Sequence, residues 1–168
     1  MNLSPLTNPG EAEDAFAATR KILGALMSDG DTRIEFLTSV LRGGSQSRVR
    51  AFNRSGKYQI QETQEWFHSP SPSYELSQAV RKLRAACYRE GAGTWFSAKI
   101  TVTARGTANA EYNYDNEPNW DTPIDPAAYV EDQEFFPRDI SAQPEWLRQR
   151  LAEGRAHIEA SGNKRRRR

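Results

Sequence analysis

The stretch YELSQAVRKLRAACYREGAGTWFSAKITVTARGTANAEYNY, residues 74–114, changes its hydrophobic period once, and this change decides the fold. Its first part repeats apolar residues every three or four positions, which is the spacing of an amphipathic helix. From Phe96 onward, apolar and polar residues alternate as in a half-buried strand. Arg105-Gly106-Thr107 then predicts a turn into a partner strand. The stretch therefore predicts a helix packed on an antiparallel hairpin.

The positions of the apolar residues in this stretch also predict which face of the helix and of each strand is buried. The predicted apolar face of the helix comprises Leu76, Ala79, Val80, Leu83, Ala86 and Cys87. The predicted polar face carries Arg81, Lys82, Arg84 and Arg89, and Gly91 is expected to end the helix. The residues expected to point inward from the two strands are Phe96, Ala98, Ile100 and Val102, then Ala108, Ala110, Tyr112 and Tyr114.

The remaining elements are predicted outward from this unit. Asn8-Pro9-Gly10-Glu11 has the residues of a helix start, and helical spacing continues over 9–28. Alternation and turn residues predict short strands over 33–40, 47–52 and 57–61, followed by a loop over 61–73. Asp125-Pro126 is expected to open a short helix and Pro144 a last one, with disorder over 161–168.

This order of elements predicts one α+β domain. Short loops favour antiparallel pairing, so we expect an antiparallel sheet of about four to five strands with helices packed on one face. A chain of 168 residues is long enough for one core. The predicted domain covers residues 1–160, and residues 161–168 form a basic tail.

Composition narrows the class of protein. No apolar run approaches the roughly 20 residues of a membrane span, so no membrane partner is expected. The start of the chain lacks the basic and apolar regions of a secretory signal. The single cysteine, Cys87, cannot form an internal disulfide, which favours a reducing compartment. These features predict a cytoplasmic protein.

The residues that carry most enzyme chemistry are scarce or badly placed. His68 and His157 are far apart in sequence, and Cys87 falls on an apolar helix face. No phosphate-binding glycine loop follows Gly43-Gly44. We therefore expect no catalytic residues, no metal, no cofactor and no enzymatic activity. A hydrolase that combines His68 with carboxylates of the later loop stays open as a third hypothesis.

Negative charge is concentrated in one segment. The net charge is +1, but Lys164 to Arg168 contribute five positive charges, so the rest of the chain carries 1 − 5 = −4. Residues 112–139 contain eight acids and a single basic residue, Arg138, and interleave tyrosine, tryptophan and phenylalanine. Such a charge asymmetry bears on partners rather than on fold.

This segment predicts a surface for a basic protein partner. Carboxylates steer a cationic partner over long range, and aromatic side chains supply the desolvated anchors of an interface. Phe135, Phe136 and Trp146 are instead expected to pack a helix onto the sheet. The predicted contact residues are Asp115, Glu117, Trp120, Asp121, Asp125, Tyr129, Glu131, Asp132 and Glu134.

The alternative is a small nucleic-acid-binding module. It would use the basic face of the second helix together with the tail Lys164 to Arg168. The acidic segment would repel phosphates, so nucleic acid is expected as a partner only through the tail. The sequence does not predict the oligomeric state.

A series of short motifs resembles the YezG-like family of bacterial immunity proteins. The residues that carry it are Trp95-Phe96, a glycine turn at Gly106, then YNYDNEP at 112–118, FPRD at 136–139 and PEWL at 144–147. The resemblance covers residues 94–151 and implies an α+β antitoxin that binds a cognate secreted toxin, commonly a nuclease. A nuclease has a basic substrate groove, which an acidic surface would fit. The arginine-rich tail and residues 119–124 do not follow the family's pattern.

Overall fold

The computed structural model describes residues 9–55 and 73–167. The elements, in chain order, are α1 (Pro9–Ala25), β1 (Asp31–Leu41), β2 (Gly44–Asn53), α2 (Tyr74–Ala86), β3 (Ser97–Thr103), β4 (Ala108–Asn113), α3 (Ala127–Phe135), a 3₁₀ turn (Ile140–Ala142) and α4 (Glu145–Arg166). The predicted strand 57–61 and most of the loop after it, with His68, lie outside the described residues.

The four described strands form one antiparallel sheet in the order β2-β1-β3-β4. Its register aligns the apolar residues of all four strands. Phe36 pairs with Val49 on one side and Ile100 on the other, and Ile100 pairs with Ala110. These residues lie in one row across the sheet, so their side chains share a face. The α+β prediction is confirmed.

α1 and α2 cover this apolar face and enclose the larger core. Ser73 caps α2, since its Oγ accepts a 3.1 Å hydrogen bond from the backbone N–H of Leu76. Leu76, Val80 and Leu83 are buried against Phe36 and Ile100, as their spacing predicts. The inward direction of Ala108, Ala110, Tyr112 and Tyr114 is also confirmed, because all four pack against this core. The helix ends at Ala86, before the expected stop at Gly91.

The assignment of Arg84 to the polar face of α2 is wrong. Its side chain is 2% exposed, and its Nε donates a 2.7 Å hydrogen bond to the carbonyl oxygen of Trp95. Thr94 in turn donates a 2.6 Å bond to the carbonyl of Arg84. Arg84 lies next to Leu83 at the edge of the apolar stripe, so the loop before β3 can close over it. A polar side chain at this border can be buried where hydrogen bonds within the protein replace those it makes with water.

A second, smaller core lies at one end of the sheet. There α3 and α4 pack over Leu41, the last residue of β1, and Phe96, which precedes β3. The buried residues of this core are Leu41, Phe96, Tyr129, Leu147 and Leu151. At Gly154 the two helices come so close that a Cβ atom would lie 2.5 Å from the carbonyl oxygen of Pro126.

α4 continues well beyond its packed half. Leu147, Leu151 and Gly154 are its buried residues, but the helix runs to Arg166. Residues 161–166 are therefore helical where the sequence predicted disorder. Lys164, Arg165 and Arg166 occupy the last turn, where positive charge interacts favourably with the helix dipole.

Candidate partner-binding surface

α3 divides the acidic segment into an inner and an outer set. The helix begins after Asp125, whose Oδ1 accepts a 2.9 Å hydrogen bond from the backbone N–H of Ala127. Its contact with α4 and the sheet end buries Tyr129 and Asp132. Positions 131, 134 and 135 lie on the opposite side of the helix because side chains three and four residues apart share a face.

Tyr129 belongs to the smaller core and is 1% exposed. Its ring lies 6.3 Å from that of Phe96 and 5.7 Å from that of Trp146, centroid to centroid. Its hydroxyl accepts a 2.9 Å hydrogen bond from the indole N–H of Trp120, which is itself partly buried. Burial raises the pKa of Tyr129. The prediction that Tyr129 anchors a partner is therefore wrong, and Trp120 presents only part of its ring.

Asp132 is also buried and cannot meet a partner. Its two carboxylate oxygens accept hydrogen bonds of 2.6 and 2.9 Å from Nη1 and Nη2 of Arg84. Oδ1 also accepts a 2.7 Å bond from the backbone N–H of Arg42, so Asp132 joins α2, α3 and the turn after β1. Its expected role as a contact residue is wrong. A sequence of alternating acids does not reveal which one faces a buried cation.

Two further acids are exposed but already paired. Glu117 accepts a 2.6 Å bond from Nε of Arg150, and Asp121 accepts bonds of 2.6 and 3.0 Å from Arg48. A pair of hydrogen bonds between Gln46 and Thr122, 2.7 and 3.1 Å long, holds the same loop to β2. The charges of Glu117 and Asp121 are thus compensated within the molecule, which weakens their pull on a partner.

Asp115 and Asp125 are more available. The side chain of Asp115 is 86% exposed, and its nearest cation is Nη1 of Arg138 at 4.0 Å. Asp125 lies 3.1 Å from Nδ1 of His157. The hydrogen bond from Ala127, followed by the contact with His157, lowers the pKa of Asp125. Both carboxylates are accessible to a partner, as predicted.

The outer face of α3, defined as Glu131, Glu134 and Phe135, keeps the acidic and aromatic character of the segment. Both acids are exposed, and neither forms an ion pair with any described residue. The Phe135 side chain is 55% exposed, although the guanidinium of Arg42 stacks on it at 3.8 Å from the ring centroid. Phe135 was expected to pack onto the sheet. Its position four residues after Glu131 could have indicated the outer face.

The chain beyond α3 adds two further exposed residues. Asp139 is exposed and its carboxylate forms no ion pair with a described residue, and Ile140 is 75% exposed. Arg138, the residue before Asp139, is 6% exposed and donates hydrogen bonds of 2.9 and 2.6 Å to the carbonyl oxygens of Thr94 and Tyr114. Its burial against Gly93, whose φ is +81°, fixes this segment on the loop before β3. The sequence did not predict that Arg138 would have this structural role.

The opposite face of the sheet offers a second candidate site. A cavity of about 420 Å³ lies over the strands, and Arg48, Lys99, Glu111 and Asn113 are among its lining residues. Charges of both signs occur there, and Lys99 lies 3.7 Å from Glu35. Because positive and negative charges both line the cavity, we expect it to attract a charged partner less strongly than the outer face of α3 does.

Two classes of site are not found in the described ranges 9–55 and 73–167. These ranges hold no group of three or more His, Cys, Asp or Glu side chains suited to bind a metal. None of their helices combines the length and the apolar character that crossing a bilayer requires.

Two sequence comparisons with known proteins find no relative. A scan against protein-family models finds no match, and a search of curated proteins finds no similar sequence. The resemblance to YezG-like immunity proteins is therefore based only on the short motifs between residues 94 and 151.

Proposed function

We propose that this protein is an immunity protein that binds and neutralises a cognate secreted bacterial toxin in the cytoplasm of the producing cell. The toxin would be a nuclease with a basic substrate groove, and the immunity protein itself would not be an enzyme. The observation that supports the proposal best is the outer face of α3. Two carboxylates that form no ion pair with a described residue lie there beside Phe135, whose ring is half exposed next to the guanidinium of Arg42, and such an acidic and aromatic surface would meet a cationic protein favourably.

Other residues of the acidic segment are also exposed or hold the segment in place. Asp115, Asp139 and Ile140 add accessible charge and apolar area, whereas Glu117 and Asp121 hold their loop through Arg150 and Arg48. The buried pair of Arg84 and Asp132 fixes the direction of α3. A surface held in one orientation loses less conformational entropy on binding.

The test uses the toxin domain encoded in the reading frame beside this protein, and measures its nuclease activity on a labelled duplex. Wild-type protein is expected to abolish cleavage near one equivalent. Glu131→Lys/Glu134→Lys is expected to inhibit the toxin only in large molar excess, because the two lysines would repel a cationic toxin. The control Glu13→Lys/Asp29→Lys changes net charge equally on exposed residues of α1 and the following turn, and is expected to inhibit as wild type does.

The possible outcomes test the immunity function and the binding surface separately. Failure of the wild-type protein to bind or inhibit the toxin would contradict the immunity function. Equal inhibition by wild type and by Glu131→Lys/Glu134→Lys would retain the function and reject the outer face of α3 as its site.

The nucleic-acid alternative has one observation in its favour. Lys164 to Arg167 continue α4 as an exposed basic end, where phosphates could bind. The burial of Arg84 removes one cation from the basic face of α2 that this alternative would use. Deleting residues 164–168 separates the two functions, since it should abolish binding of a labelled oligonucleotide and leave toxin inhibition unchanged.

A further inference from the structure

A groove of about 770 Å³ runs between α1 and α2. Five of its twelve described lining residues are alanines: Ala15, Ala18, Ala79, Ala85 and Ala86. Ile22 and Tyr74 add apolar area, and the ring of Tyr74 is 78% exposed. Helices pack closest where the side chains between them are small, so the groove has the shape and surface for a third helix.

The charges around this groove are mostly negative. Glu11 and Asp14 line it from α1 and Glu75 lines it from α2, while Lys82 is the one cation among its described lining residues. All three carboxylates belong to exposed residues. The groove therefore suits a helix that carries positive charge.

The second half of α4 is a helix of that kind. Every residue from Arg155 to Arg167 is exposed, and the last four of them are Lys164, Arg165, Arg166 and Arg167. An isolated helix of this length is only marginally stable in water, so a docking partner would stabilise it.

The dimensions of the helix and the groove agree. From Arg155 to Arg166, α4 rises about 17 Å, and from Glu11 to Ile22, α1 rises by the same length, at 1.5 Å per residue. Ala156, Ala160 and Lys164 follow at intervals of four, so two small side chains and a cation share one face of α4. This face matches alanines and carboxylates in the groove.

We infer that the C-terminal half of α4 from one copy of this chain lies in the α1–α2 groove of a second copy. The contact is reciprocal, so a two-fold dimer contains two such contacts and both grooves are occupied. Lys164 faces the carboxylates of Glu11, Asp14 or Glu75, and Ala156 and Ala160 pack on the alanines. This dimer does not depend on the proposed immunity function.

Analytical ultracentrifugation of the full chain from about 1 to about 100 µM tests the inference. Wild type is expected to pass from monomer to dimer over this range. Ala18→Arg places a bulky cation in the groove and should weaken the dimer by about tenfold or more, because its guanidinium must be desolvated. The matched control, Ala17→Arg, alters the neighbouring exposed residue outside the groove lining and should leave the dimer unchanged.

A charge exchange identifies the occupant of the groove. Glu11→Lys/Asp14→Lys should weaken the dimer, and adding Lys164→Glu to the same chain should restore part of it. Circular dichroism confirms that each variant is folded. The inference is overturned if wild type stays monomeric at all concentrations, if Ala18→Arg dimerises as tightly as Ala17→Arg, or if the charge exchange restores nothing.

Discussion

Arg84 on α2 and Asp132 on α3 form an ion pair with two hydrogen bonds inside the protein, and their side chains are 2% and 1% exposed. This pair joins the helix that covers the sheet to the helix that presents Glu131, Glu134 and Phe135. The position of the candidate surface therefore depends on two residues that a partner never touches.

Removing one partner of the ion pair should destabilise the protein more than replacing both partners by apolar residues. Arg84→Met is expected to lower the free energy of unfolding by about 3–5 kcal/mol, because it leaves the Asp132 carboxylate buried without its cation. Arg84→Met/Asp132→Leu should recover part of this loss, although the backbone N–H of Arg42 then lacks its acceptor. Urea unfolding measures both. A loss below about 1 kcal/mol in Arg84→Met would contradict a buried ion pair.

Gly93 should tolerate no side chain. Its φ is +81°, and a Cβ atom would overlap the side chain of Arg138. Gly93→Ala is expected to cost about 2 kcal/mol or more, since left-handed backbone alone costs about 1–2 kcal/mol. Gly24→Ala in α1 is the matched control: no atom lies within 4 Å of the added methyl group, and the change should stabilise the helix by about 0.5–1 kcal/mol. Thermal unfolding of the two variants should therefore move in opposite directions.

Tyr112 makes stability depend on alkaline pH. Burial, followed by the nearby Cys87 and Tyr114, raises the pKa of Tyr112 from 10.0 to about 12. Above pH 10 the unfolded chain ionises this phenol while the folded protein keeps it neutral, so stability falls between about pH 10 and 12. Tyr112→Phe should make this fall shallower in urea unfolding, with Tyr74→Phe, an exposed tyrosine, as the control. An unchanged pH dependence would contradict the burial of Tyr112.

Phe135 should control how long the toxin stays bound. If the half-exposed ring anchors the proposed partner, Phe135→Ala is expected to raise the dissociation rate about tenfold or more and to change the association rate little. Surface plasmon resonance with the neighbouring toxin domain measures both rates. Ile158→Ala removes another half-exposed apolar side chain and should change neither rate. Similar effects from the two variants would contradict an anchor at Phe135.

Hydrophobic spacing was sufficient to predict the framework. The apolar faces of α2, β3 and β4 were predicted from local periodicity, because each buries one side against the same core. Residues whose surroundings come from distant parts of the chain were not predictable in this way. Arg84 is separated by 48 residues from the Asp132 that neutralises it, and by 11 from the carbonyl of Trp95.

The same limit applies to the candidate surface. Asp115, Asp125, Glu131 and Glu134 are exposed as predicted, but Tyr129 and Asp132 are buried by α4 and α2. Every side of a nine-residue helix in a polar segment looks suitable for solvent until its packing partners are known. Phe135 was assigned to the core for the same reason, because aromatic character does not distinguish an inner ring from an outer one.

The association rate of the toxin domain, measured by stopped flow at several salt concentrations, tests the central claim most directly. If unpaired carboxylates on the outer face of α3 attract a cationic partner, wild-type association slows steeply with salt, and Glu131→Lys/Glu134→Lys is slower by tenfold or more at low salt with a flatter dependence. Glu13→Lys/Asp29→Lys, with the same change in net charge, should stay near wild type. Equal rates and equal salt dependence for all three proteins would contradict the claim.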